Sequence, residues 1–163
     1  MPNPDLLLLA DFQLAEEIEN PIESIDSLLS VVQTALNIGV HELDWELSSN
    51  AEYECVVRLV GENESQQLNA EFRNKDMPTN FLSFTYDDLE NYIGDIVICL
   101  PIVEREASEQ NKLFLHHLQH MIVHGILHLL GYNHEQDEEA EQMEALEQEI
   151  LAQFGIDNPY QHH

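Results

Sequence analysis

Three histidines, His124, His128 and His134, stand in the run His-Gly-Ile-Leu-His-Leu-Leu-Gly-Tyr-Asn-His at spacing i, i+4, i+10. On an α-helix of about 3.6 residues per turn the first two lie one turn apart on one face, so both rings can reach a common ion. The third requires the helix to stop. Gly131 supplies the permissive backbone for that stop, which lets His134 approach the same ion from outside the helix. Three neutral imidazoles fill three positions of a tetrahedral site and leave the fourth open, whereas structural zinc sites usually close with four ligands, mostly Cys. The pattern therefore predicts a catalytic metal centre holding one zinc ion, with nickel or another divalent transition metal equally suited to imidazole donors.

The same spacing occurs in the third-histidine zinc peptidases, whose motif His-Glu-x-x-His-x-x-Gly-x-x-His places a glutamate base directly after the first ligand. Gly125 occupies that position here. A peptidase of that type would lack its base, so a zinc metallopeptidase stands as an alternative on spacing alone. A noncatalytic partner-binding factor with a structural metal is the other, motivated by the acidic surface. His116 and His120 continue the i, i+4 ladder backwards, and His117 lies close to the angular position of His124 about two turns away. These three read as surface residues or as supports for the ligands, His120 first among them. His41 has no ligand type beside it, and His162 and His163 end the chain.

The elements that must position the histidines follow from periodicity. Leu6 to Leu14 reads as a first strand, and the helical spacing of Ile22, Ile25, Leu28, Leu29, Val32 and Leu36 predicts a helix that stops at Gly39. Tyr53 to Val60 is β-branched and aromatic, and Glu62 to Phe72 reads as a short helix before the turn Asn74-Lys75-Asp76-Met77-Pro78. Strands at Phe81 to Tyr86 and Tyr92 to Leu100, joined by the polar 87–91, suit an antiparallel pair. Pro101 suits the first position of a helical region that runs to Leu130 with a break near Glu109 to Asn111. In the final helix Ala140, Met143, Leu146, Ile150, Leu151 and Phe154 form a core face, and its many acids read as a solvated face. Strands first and long helices last predict an α+β class, a small mixed sheet of about four strands packed with about five helices. At 163 residues and 44% hydrophobic content, one domain is expected, with 158–163 a loose tail.

Five Lys plus Arg against 32 Asp plus Glu give a net charge of −27, which argues against nonspecific binding of polyanions such as DNA. With so few cations, the close pair Arg73 and Lys75 stands out as a local anion site. No stretch approaches the roughly 18 apolar residues of a spanning helix, so a cytoplasmic protein without membrane contact is expected. Cys55 and Cys99 sit in apolar surroundings without C-x-x-C spacing and read as two buried free thiols.

At this point the chain resembles a known family, the YbeY-type ribosomal RNA maturation factors, metal-dependent single-strand endoribonucleases of bacteria. The family run H-G-x-L-H-L-x-G-Y-D-H is met by His124, Gly125, Leu127, His128, Leu129, Gly131, Tyr132 and His134, with Asn133 where the family usually has Asp. A second block, L-N-x-x-x-R-x-K-D-x-P-T-N-x-L-S-F, reads here as Leu68, Asn69, Arg73, Lys75, Asp76, Pro78, Thr79, Asn80, Leu82, Ser83 and Phe84, and a short third block as Gly94, Asp95 and Ile96. The resemblance implies a zincin-like fold, hydrolysis of RNA phosphodiesters, maturation of the 3′ end of small-subunit ribosomal RNA, and ribosome quality control. It implies ribosomal RNA and the small subunit as partners, with ribosomal proteins or another ribonuclease beside them. It also implies a catalytic role for Arg73, whose guanidinium fork suits phosphate. Lys75, Asn80 and Ser83 are the candidates for the substrate groove.

Overall fold

The computed structural model describes residues 7–15, 25–43, 52–85, 92–132 and 137–156. Within these described residues nine elements run in the order β1 (Leu7–Leu14), α1 (Ile25–Leu43), β2 (Glu52–Val60), α2 (Glu62–Arg73), β3 (Phe81–Phe84), β4 (Tyr92–Cys99), α3 (Leu100–Glu109), α4 (Phe114–Leu129) and α5 (Asp137–Ala152). The α+β class with a mixed four-stranded sheet and five helices is as expected. No described helix is long and apolar enough to cross a membrane. The expected tail, His134, Asn133, His162 and His163 lie outside the described residues.

The sheet order is β1-β2-β4-β3. β1, β2 and β4 are parallel, and β3 returns antiparallel along β4 with Phe81 opposite Ile98 and Ser83 opposite Ile96. Along β2, Cys55, Val57 and Leu59 turn to one buried face, as the two-residue period of a strand requires. β4 is covered on both sides: Ile96 and Ile98 join the core with α1, α4 and α5, whereas Val97 and Cys99 join a second cluster with Leu82, Leu68 and Phe84. A strand buried on both faces reads as the nearly continuous apolar run seen here. β3, like β1, is an edge strand of the sheet, with α4 beneath one face and α2 against the other.

Three sequence expectations shift. α1 does not stop at Gly39 but continues to Leu43. The glycine is instead a contact point, since a Cβ there would lie 2.6 Å from Leu130 Cδ1, and Tyr132 Oη donates to the Gly39 carbonyl at 3.0 Å. Pro101 is the second residue of α3 rather than its first, because Leu100 already belongs to the helix. The acidic face of α5 is not wholly solvated: Glu147 is completely buried. Gly131, by contrast, ends α4 as predicted, at φ 107, where a side chain would be strained. Both cysteines are buried free thiols, and burial, with Asp95 nearby, pushes Cys55 up to about 12.

Candidate metal centre and its arginine edge

α4 buries Leu118, Ile122, Ile126 and Leu129 against the sheet, and this stripe decides which way its histidines face. His124 and His128 follow one another on the helix with rings nearly parallel, 9° apart, and centroids separated by 6.4 Å. The ring of Phe81 stands edge-on to both, 5.4 Å from His124 and 6.4 Å from His128. One wall of the histidine pair is thus apolar and belongs to β3. His128 is exposed, whereas His124 is half-buried. Among the described residues no three His, Cys, Asp or Glu side chains are grouped to hold a metal, and the expected third donor, His134, lies outside them. Two adjacent imidazoles on one helix face, screened on one side by a ring, are the donor chemistry that a divalent transition metal takes.

Sequence reading missed one group that touches this pair. Glu147 of α5 places Oε1 2.6 Å from His124 Nδ1 and Oε2 3.7 Å from His120 Nε2. A signal was available: position 147 follows Met143 by four residues and precedes Leu151 by four, so it sits inside the apolar stripe of α5. His117 is also buried, with Nε2 3.1 Å from Glu106 Oε1, and burial lowers its pKa from the ordinary histidine value. His120 and His117 are therefore both engaged with carboxylates, on α5 and α3 respectively.

Gly125 has a plain steric reason. A Cβ at this position would lie 2.9 Å from Ile96 Cδ1 and 3.2 Å from Ile96 Cγ2, so α4 rests directly on β4 here. The position that carries a peptidase base thus points into the core, not towards the histidine face. Gly125→Glu is expected to give no peptidase and to destabilise the fold by at least about 3 kcal/mol, from overpacking together with a buried carboxylate. An unchanged urea midpoint for that variant would contradict the packing.

The Arg73 block is built as a scaffold with one projecting cation. Asn74 closes α2 in the left-handed region at φ 59. Two buried polar residues of α2 then hold the following turn: Asn69 Nδ2 donates to the Met77 carbonyl at 2.9 Å, and Ser65 Oγ donates to the Thr79 carbonyl at 2.8 Å. Asn80 is turned inward. Its Oδ1 accepts from the Phe81 amide at 2.8 Å, and its Nδ2 lies 3.3 Å from Glu106 Oε2. Arg73 is exposed, with Nη2 donating to the Ser83 carbonyl at 3.0 Å and its guanidinium 5.7 Å from the centre of the Phe84 ring. Lys75 is exposed, Ser83 is half-buried on β3, and among the described residues no ion pair engages Arg73 or Lys75. Arg58 and Arg105, in contrast, pair with Glu64 and Glu62.

β3 thus carries both halves of the arrangement. Phe81 touches the histidines, and two residues on, about 7 Å along a strand, the Ser83 carbonyl holds Arg73. With a histidine helix packed beneath an edge strand, the molecule has a zincin-like α+β fold. The solution structure of a protein from Thermotoga maritima has the same fold, with a TM-score of 0.57 and 27% identity, over 95% of this chain and 99% of that one. Residues 15–155 match the family described as Endoribonuclease YbeY, and the chain belongs to that family. It is 50% identical over 117 residues to the Endoribonuclease YbeY of Aromatoleum aromaticum, covering 71% of this chain and 76% of that protein. It is 48% identical over 150 residues to that of Francisella tularensis subsp. tularensis, covering 87% of each.

Proposed function

We propose that this chain, as a single domain, cuts single-stranded RNA in the cytoplasm and matures the 3′ end of small-subunit ribosomal RNA. The observation that carries this reading is that one edge strand, β3, contacts His124 and His128 through Phe81 and holds, at its Ser83 carbonyl, an exposed arginine with no acidic partner among the described residues. His124, His128 and His134 would hold one divalent transition metal, zinc by default, which would supply positive charge for a phosphoryl oxygen and for ionisation of the attacking oxygen.

The remaining work falls to the chain's own groups. Arg73 offers a guanidinium fork to the phosphate charge that grows in the transition state, steadied by the Ser83 carbonyl and the Phe84 ring. Phe81 keeps water from one side of the imidazoles. Lys75, Asn80 and Ser83 are the groove candidates, Lys75 exposed just after α2, Ser83 on β3, and Asn80 bonded to the Phe81 amide and near Glu106 at the start of that strand. A net charge of −27 disfavours free RNA, which supports a substrate presented by the ribosome or a partner protein.

Purified protein is expected to cleave a single-stranded RNA carrying the small-subunit 3′ end. Activity should vanish with chelator and return on adding zinc. Cleavage that persists in chelator, in protein free of contaminating ribonuclease, would end the metal-dependent reading.

A further inference from the structure

We infer that Glu147 is a positioning residue for the metal centre: its buried carboxylate fixes the tautomer and orientation of His124, so that Nε2 presents its lone pair to the ion. This rests on the metal centre proposed above and extends it to a residue of α5, 23 positions away in sequence from His124.

Burial is the first observation. Glu147 is 0% exposed and lies among Met143, Leu146, Ile150 and Leu151, all of them buried core residues. A carboxylate withdrawn from water costs several kcal/mol unless its partners compensate, so a leucine would serve packing better at this position. The second observation is geometry. Oε1 lies 2.6 Å from His124 Nδ1, a short hydrogen-bond distance, and Oε2 faces His120 Nε2 at 3.7 Å. One carboxylate oxygen is thus bonded to the His124 ring and the other faces the His120 ring.

The chemistry follows from the acceptor. With Glu147 as the acceptor, Nδ1 of His124 carries the hydrogen, and an imidazole with one hydrogen keeps its lone pair on Nε2. A ring held in this way presents one nitrogen to a metal in one orientation, and the negative charge behind it makes that nitrogen more basic. Without Glu147, His124 would divide between two tautomers and rotate more freely.

The test is zinc affinity, measured on the full chain by competition with a chromophoric chelator, beside thermal unfolding of the metal-free protein. Glu147→Gln keeps the shape and one acceptor oxygen but removes the charge. Its zinc affinity is expected to fall about 10–100-fold, while the metal-free protein unfolds no earlier than the wild type. Unchanged zinc affinity in Glu147→Gln, together with loss of zinc in His124→Ala, overturns the positioning role and leaves the metal centre standing. Retention of zinc in His124→Ala overturns the metal centre itself.

A second measurement needs no variant. Nitrogen chemical shifts of His124 in the metal-free wild type should report hydrogen on Nδ1. Hydrogen on Nε2 would overturn the inference even if Glu147→Gln failed to fold.

Discussion

His128→Ala is expected to abolish metal-dependent RNA cleavage while leaving the metal-free fold intact. Substitutions of groups that merely support a ligand cost about 10–100-fold in metal affinity, and removal of a ligand costs more. His128 is the cleaner of the two described histidines for this purpose. It is exposed near the C-terminal end of α4, so its removal should change stability by no more than about 0.5 kcal/mol. His124→Ala would also strip a partner from the buried Glu147 carboxylate, and breaking a buried pair by removing one member costs about 3–5 kcal/mol. Metal content after dialysis, the rate on single-stranded RNA and the unfolding midpoint together make the test. A variant that keeps one metal per chain and the wild-type rate would remove His128 from the centre.

Arg73→Ala is expected to reduce cleavage by about 10²–10³-fold, the usual effect of removing one donor aimed at transition-state charge. Metal content should stay the same. The side chain is exposed and bonds mainly to the Ser83 carbonyl at an outer strand edge, so little stability depends on it. Arg73→Lys should recover only part of the rate, because an ammonium cannot reproduce the planar fork. Metal retained with activity lost separates a catalytic arginine from a protein whose metal is only structural. Wild-type cleavage in a folded Arg73→Ala protein would instead favour the noncatalytic reading.

How legible the site was in the sequence depends on the range of the contacts involved. The His124 and His128 pair could be placed from spacing alone, because the helical period brings residues four apart onto one face and the apolar stripe of α4 fixes which face it is. The end of α4 at Gly131 was equally local. Gly39 failed as a stop signal because its reason is a neighbour, the Leu130 and Tyr132 end of α4, and nothing in the residues around it reveals that contact. Asn80 read as a groove residue by its type, yet its amide is turned towards Glu106, 26 residues further on.

By itself, the sequence determined the pattern of elements, the histidine run and the block that carries Arg73, since these depend on local periodicity and on residue types at short spacing. Only the tertiary structure decided that β3 is the edge strand joining Phe81, and through it the histidines, to Arg73. Only it turned Gly125 onto Ile96 and brought Glu147 against His124. Those last contacts join different helices and strands, and a charge such as Glu147 reads as solvated until packing shows that its face of the helix is covered.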